Sequence, residues 1–315
     1  MTVTKTITVA LAAYNGEAYL GEQLASLARQ TDGCFRVLMR DDGSADGTPE
    51  ILRAWAEKDS RFACAPENGR ENLGAKGNFL RLMRLDEAPY TALCDQDDVW
   101  EPERLARTRA AMEEAERLWG ADTPLLVHSD CAVTDARGAV LHPSFFAHQG
   151  WDKGAVTLPR LLVQNNVTGC TVLINASLRR LATEHMDPEK VFMHDWFLAL
   201  TAAAFGHIAF VDAPLVRYRQ HGGNEVGASA AGQLERGARA LSRADKARAR
   251  IRLTYDHAAV FLEAYGGLLP PDARETVEAY LRTQRLPKLR RLAALRRGGY
   301  LMQSTVTRIG QMVFG

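Results

Sequence analysis

Three carboxylates, Asp95, Asp97 and Asp98, crowd the stretch Cys94-Asp95-Gln96-Asp97-Asp98-Val99-Trp100. An apolar run, Tyr90-Thr91-Ala92-Leu93, precedes them, and a helix-like segment opening at Glu101-Pro102 follows. The acids therefore belong where a buried strand ends and the chain turns. Carboxylates this close repel one another unless a cation or a basic group neutralises them. A hard divalent ion held by one or two carboxylates and by the oxygens of a diphosphate would do so. A solvated acidic turn favoured by the positive end of the next helix explains the stretch alone equally well.

A fourth acid, Asp195 in Met193-His194-Asp195-Trp196, opens an apolar helix pattern. Asp is a common helix cap. The alternative is a general base, which must be ionised and within hydrogen-bond reach of the proton it removes. His221, in Tyr218-Arg219-Gln220-His221-Gly222-Gly223-Asn224, follows the last strand pattern and is a candidate metal or phosphate contact. Asp41-Asp42-Gly43-Ser44 reads either as a β-turn or as acceptors for a base N–H or a ribose hydroxyl. Tyr14, after Ala13 and before Asn15, could flank a base or sit at the edge of the core.

The elements that must position these residues alternate. Thr6–Ala12, Phe35–Met39, Phe62–Ala65 and Tyr90–Cys94 read as strands, and helix patterns fall between them. This is the rhythm of a βαβ sheet. Parallel strands bring their carboxyl ends to one edge, where open α/β sheets bind ligands. That edge would carry Ala13-Tyr14-Asn15, Asp41-Asp42 and Asp95 to Asp98. Neither GxxxxGK[ST] nor GxGxxG follows the first strand, which weighs against P-loop and NAD-type chemistry. Further on, a long helix from about Glu101 to Leu118, a strand at Leu125–His128 and a hairpin over Cys131–Leu141 are expected. Residues 143 to 170, mixing aromatics, Gly and Asn, suit a binding loop. Strands at Thr171–Ile174, Ile208–Val211 and Leu215–Tyr218 complete the sheet.

With 315 residues, 46% hydrophobic and 24% charged, the chain is an ordinary globular protein of one large domain plus an appendage. From Ala231 onward there are 16 Lys/Arg against 7 Asp/Glu, so the basic tail balances an acidic body. Composition shifts near Ala228 to Ala, Arg and Leu at helical spacing. The expected division is a mixed α/β domain over 1–228 and a basic, mainly helical extension over 229–315. Five cysteines without CxxC spacing read as buried thiols in a reducing compartment. No run approaches the length needed to span a bilayer. The expected location is cytoplasmic, at most peripheral to a membrane.

Together these residues resemble family 2 glycosyltransferases, with their GT-A nucleotide-sugar fold, over roughly residues 5 to 224. The resemblance rests on Ala13-Tyr14-Asn15, Asp41-Asp42-Gly43-Ser44, Asn72-Leu73-Gly74 with Asn78, the DxD-like Asp95-Gln96-Asp97-Asp98, and His194-Asp195-Trp196. It implies a Rossmann-like mixed sheet flanked by helices. It further implies that Ala13 and Tyr14 lie along the nucleotide, that Asp41 binds the base, and that Asp95 and Asp97 handle the ribose and the metal. Asp98 is a competing metal ligand, and His221 a further metal or diphosphate contact. Asn15, Asp42, Asn72, Gly74, Asn78 and Gln96 complete the donor-side set. Asp195 becomes the general base of an inverting transfer. Asn165, Asn166, Thr168, Gly169, Trp100, Trp196 and His194 are candidate acceptor contacts, although Asn165 to Gly169 also reads as a turn leading into a strand. His194 stands where many members of the family carry an acid.

CDQDDVW with YRQHGGN looks most like bacterial rhamnosyltransferases of surface polysaccharide synthesis. The implied cofactors are Mn2+ or Mg2+ and a dTDP- or UDP-sugar, dTDP-L-rhamnose first. The implied partner is a glycan or a polyprenyl-linked acceptor. Competing readings are a UDP-hexose or UDP-N-acetylhexosamine transferase of the same fold, a non-catalytic nucleotide- or glycan-binding protein, and a peripheral membrane scaffold. In the tail, Leu286–Arg297 repeats Leu289, Leu292 and Leu295 among basic residues. This pattern fits a surface helix on an anionic membrane, or a helix packed on the protein or on a second copy in a homodimer. Nucleic acid is not an expected partner, because the basic tail lacks a nucleic-acid motif.

Overall fold

The computed structural model describes residues 4–66, 71–222 and 243–314. The expected boundary at 228 and the loop residues Gly223 and Asn224 lie outside them.

Four parallel strands form one half of the sheet: β1 (Ile7–Ala13), β2 (Phe35–Asp41), β3 (Phe62–Cys64) and β4 (Tyr90–Asp95). Their near-continuous apolar sequences suit strands covered on both faces. Helices α1 (Glu17–Ala28), α2 (Thr48–Lys58) and α3 (Gly74–Leu85) make the crossovers. The register fixes the functional edge, because Ala13 of β1 lies beside Asp41 of β2 and Ala12 lies beside Asp95 of β4.

A two-residue strand, β5 (Val99–Trp100), and helix α4 (Arg104–Trp119) follow. The other half of the sheet holds β6 (Leu125–Thr134), β7 (Val140–His142), β8 (Leu173–Asn175) and β9 (His207–Arg219). The strand order is β3-β2-β1-β4-β8-β6-β9-β5, with β7 on β6. Two expectations are corrected here. Leu125–His128 and the first arm of the hairpin are one ten-residue strand. The expected strands at 208–211 and 215–218 are likewise one strand, β9, carried through Pro214. Register shifts against β6 at Ser129/Asp130 and Asp130/Ala132 absorb the irregularity, as bulges do in long paired strands.

Helices α5 (Phe145–Gln149), α6 (Leu158–Val163), α7 (Ala176–His185) and α8 (His194–Phe205) pack around the second half. The C-terminal residues form α9 (Arg243–Tyr265), α10 (Pro271–Thr283), α11 (Lys288–Arg297) and α12 (Thr305–Phe314). Alternation along the strands divides the core into two layers. Val9, Leu11 and Ala92 face α1 and α4, while Ala10, Leu93 and Leu126 face α3 and α8. That second layer continues into the C-terminal helices, where Phe261 meets Phe197 with ring centroids 5.8 Å apart and Tyr255 stacks on Tyr280 at 4.6 Å. On α11, Leu295 is buried and Leu289 is exposed, so only part of the leucine row packs on the protein. All five cysteines are free thiols. Among the described residues no helix is long and apolar enough to cross a membrane.

Candidate active site

A cavity of about 530 Å³ opens at the edge where β1, β2 and β4 end. Ala13, Tyr14, Asp42, Asn72, Gly74, Asn78, Asp95, Gln96 and Asp97 line one part of it. Thr168, Gly169, His194, Asp195 and Trp196 line another, so the two acidic motifs share one chamber.

Backbone and side-chain contacts set the β1 turn. Gln96 clamps it by accepting from the Tyr14 amide at 2.7 Å and donating to the Tyr14 carbonyl at 2.8 Å. Tyr14 itself remains 48% exposed, leaving its ring available to a ligand. Asn15 adopts φ +48° and braces the turn, receiving the Ala45 amide at 2.9 Å. Asp41 is buried and accepts from the Gly43 and Ser44 amides and from the Ser44 hydroxyl. Neither Asn15 nor Asp41 lines the cavity. Asp42 pairs with Arg40 at 2.5 Å, both side chains 2% exposed, and receives the Leu73 amide at 2.9 Å. Asn78 accepts from the same Arg40 at 3.0 Å. Gly74 takes φ +66° where the chain swings from the cavity rim into α3, a conformation that glycine adopts without steric cost.

The DxD-like turn splits its acids. Asp97 lines the cavity and meets His221 Nε2 at 2.8 Å, while the His221 ring lies 4.6 Å from that of Tyr19. His221 does not itself line the cavity. Asp98 points the other way: it is fully buried, accepts from the Arg219 amide at 3.0 Å, and burial pushes its carboxyl up to about 8. Arg219, which sequence reasoning overlooked, holds this turn from the end of β9. Its Nε donates to the Asp97 carbonyl at 2.8 Å and its Nη2 pairs with Glu22 at 2.6 Å.

The donor set fits a hard divalent ion. Asp95 and Asp97 offer carboxylate oxygens at the cavity wall and His221 stands beside Asp97, residue types that suit Mn2+ or Mg2+. Behind them the Oδ2 of Asp98 is buried without a hydrogen-bond partner among the described residues. Among the described residues it is Asp95, Asp98 and Cys170 whose ligand atoms lie within 4.8 Å of one another, whereas Asp95, Asp97 and His221 form no such group. The grouping with Cys170 suits a hard ion less well, because burial pushes the Asp98 carboxyl and the Cys170 thiol toward their protonated forms.

Asp195 stands in the first turn of α8. The Trp196 amide donates to its Oδ1 at 2.6 Å and the Gly169 amide to its Oδ2 at 3.1 Å. These bonds and the helix dipole favour the carboxylate, yet desolvation dominates and raises its pKa to about 7. Beside it His194 is buried, stacked on Phe79 at 4.3 Å, and held near a pKa of about 3 by desolvation. It is therefore a neutral ring in the cavity wall. Trp196 lines the cavity and donates through its indole nitrogen to the Leu161 carbonyl at 2.7 Å.

Two expected acceptor contacts are elsewhere. Trp100 is 2% exposed, because the pairing of β5 with β9 turns its ring into the core, with the Arg104 guanidinium 3.2 Å from the ring centroid. Asn166 is fully buried and braces its own loop through the Asp152 and Ala155 carbonyls. Phe145, Trp151, Tyr218 and Arg250 line the cavity and were not singled out from sequence. For Phe145 and Trp151 the aromatic content of residues 143–170 was the available signal. Arg250 sits in an Ala/Arg-rich helix where nothing in the pattern sets it apart.

The geometry agrees with what the chain resembles. Residues 8–121 match the family model "Glycosyl transferase family 2". The chain is 24% identical over 228 residues to the dTDP-rhamnosyl transferase RfbG of Shigella flexneri, spanning 70% of this chain and 74% of RfbG. It spans 57% of the length of the uncharacterized Mycobacterium tuberculosis proteins it also matches, at 26% identity over 66% of this chain. Among solved structures, TarS 1–349 of S. aureus in complex with UDP-GlcNAc superposes with a TM-score of 0.57 at 16% identity, covering 98% of this chain and 88% of TarS. The mannosyltransferase PcManGT of Pyrobaculum calidifontis, in complex with GDP-Man and Mn2+, gives 0.51 at 18% identity, covering 99% and 84%. Residues 8–121 thus match the family 2 glycosyl transferase model, and the chain as a whole has the GT-A fold of the solved glycosyltransferases it superposes on.

Proposed function

We propose that this protein transfers a sugar from a nucleotide diphosphate donor to an acceptor hydroxyl, with inversion at the anomeric carbon. The observation that carries this reading is the single cavity into which both Asp95/Asp97 and Asp195 open. In the proposed reaction Asp195 takes the proton of the acceptor hydroxyl. That oxygen forms a bond to the anomeric carbon, and the bond to the diphosphate oxygen breaks with its electron pair leaving on the nucleotide. The Gly169 and Trp196 amides hold the Asp195 carboxylate in place and leave a lone pair on each oxygen for the incoming proton. Asp95 and Asp97, with His221, would hold a divalent ion, which when bound neutralises charge on the departing diphosphate.

Similarity to the dTDP-rhamnosyl transferase RfbG supports a dTDP-rhamnose donor, dTDP-L-rhamnose first, and the surface-polysaccharide product class follows from the sequence motifs that resemble rhamnosyltransferases. The basic helix α11, with Leu289 exposed, and α12, with Val306 and Ile309 exposed, support peripheral contact with an anionic membrane where lipid-linked acceptors reside. Flotation with anionic vesicles checks that contact.

The decisive measurement is a thermal-shift panel of UDP, dTDP and their sugars with and without Mn2+, followed by assay of nucleotide release. Binding of a nucleotide sugar strengthened by Mn2+, with turnover lost in Asp195→Asn, supports the reading. Absence of nucleotide binding overturns it.

A further inference from the structure

The C-terminal helices do more than cover the sheet. Arg250, Leu253 and Thr254 of α9 all line the cavity. With His257 they recur at i, i+3, i+4 and i+7, which is one face of a helix. That face is fastened to the segment carrying Asp195. The Trp196 and His257 rings lie 4.6 Å apart, and His257 Nδ1 receives the Phe192 amide at 3.4 Å. Arg250 therefore belongs to the wall shared with the general base.

Its electrostatic position is unusual. Among the described residues it is the cavity's only Lys or Arg, facing a chamber whose other charged groups are Asp42, Asp95, Asp97 and Asp195. Of these, Asp42 is neutralised by Arg40, and Asp97 contacts His221. No described residue gives Arg250 a hydrogen bond or an ion pair, and its pKa is lowered by desolvation. A half-buried guanidinium without a carboxylate partner bears a standing desolvation cost, which an anionic ligand relieves.

We propose that Arg250 binds an oxyanion of the acceptor, a phosphate or carboxylate carried near the hydroxyl that Asp195 deprotonates, so that the preferred acceptors are anionic. A planar guanidinium suits either group, since both accept paired N–H bonds. Arg250 is then a specificity-determining residue contributed by the C-terminal helices, and the GT-A sheet alone does not complete the acceptor site.

Because this rests on the glycosyltransferase reading, the test separates the two. The full chain, loaded with Mn2+ and saturating dTDP or UDP, is titrated by calorimetry with α-D-glucose 1-phosphate, D-glucuronate and D-glucose. At least one anionic sugar should bind about tenfold or more tighter than glucose, as a charge-assisted hydrogen bond provides; which one it is tells phosphate from carboxylate. Arg250→Gln should erase that preference while nucleotide affinity stays within about twofold. Arg250→Lys keeps the charge but loses the fork, and should retain part of the preference; it also serves if the Gln variant melts early. Failure of wild-type protein to bind any nucleotide removes the glycosyltransferase reading and this assignment together. Nucleotide binding without preference for either anionic sugar overturns the assignment alone. So does a preference that survives in Arg250→Gln, or a loss of nucleotide affinity in that variant, which would assign Arg250 to the donor diphosphate.

Discussion

The amide of Gly169 donates to Asp195 Oδ2 at 3.1 Å, and a Cβ placed on Gly169 would stand 3.4 Å from that same oxygen. The strand-entry loop thus supports the carboxylate and leaves its face open. At 3.4 Å an alanine methyl makes ordinary contact, so Gly169→Ala should fold and melt close to wild type. It should nevertheless narrow the approach of the acceptor hydroxyl. We expect kcat/KM for transfer to fall by about ten- to a hundredfold, the usual cost of a small misplacement of reacting groups, with nucleotide affinity unchanged. Steady-state kinetics beside a nucleotide titration checks this.

The raised pKa of Asp195 predicts a pH profile. As the proposed base it must be ionised, so kcat/KM should rise with pH to a plateau beginning above about 7, dropping about tenfold per unit below that. Asp195→Asn should lower transfer by about 10²- to 10⁴-fold and abolish this limb, with donor binding retained. Stability moves the opposite way. The folded state keeps a proton that an ordinary carboxyl, near 3.8, gives up in the unfolded chain. Between about pH 4 and 7 the native state binds more protons, so stability falls as pH rises through that window. Denaturant titrations at both ends should show the decline in wild type and a smaller one in Asp195→Asn.

The parallel half of the sheet was legible because each strand is a short apolar run ending in a polar turn, and the register brings those turns to one edge as expected. The other half was less so. Pro214 and the register shifts at Asp130 make β6 and β9 read as separate pieces, and β5 is only two residues long. In the site, the motif could not say which of Asp97 and Asp98 faces the cavity. That choice is made by the Arg219 amide, 121 residues further along the chain. Trp100 misled for a related reason: whether a tryptophan is core or surface depends on which strand pairs with its own, and here β9 turns it inward. Arg250 was invisible, since one arginine in an Arg-rich helix is marked only by what the helix packs against.

Asp42 separates scaffold from ligand contact. Its pairing with Arg40 is buried on both sides, and Arg40 also reaches Asn78 at 3.0 Å and the Glu71 carbonyl at 3.1 Å. Asp42→Ala strands the guanidinium in the core and should cost about 3–5 kcal/mol of stability, as expected when one partner of a buried pair is lost. Replacing Arg40 by Met in the same variant should recover part of that loss. A variant of wild-type stability that has lost nucleotide affinity would instead make Asp42 chiefly a donor ligand. Urea unfolding and nucleotide titration on the same samples distinguish the outcomes.

Gln96 offers a milder probe of the same edge. Its amide satisfies both the N–H and the C=O of Tyr14, at 2.7 and 2.8 Å, while the Tyr14 ring stays 48% exposed. Its work is therefore to fix the turn that presents the ring. Gln96→Ala removes two solvent-accessible hydrogen bonds, each worth about 0.5–1.5 kcal/mol, so the melting temperature should fall only slightly. The freed turn must then be ordered by the ligand itself. Preorganisation lost on this scale should weaken nucleotide binding by about three- to thirtyfold. Tyr14→Ala in the Gln96→Ala background should add little further loss, because a ring on a mobile turn no longer contributes its full stacking. A double-mutant cycle on nucleotide affinity tests that coupling, and strictly additive losses would show that Gln96 acts on the ligand independently of Tyr14.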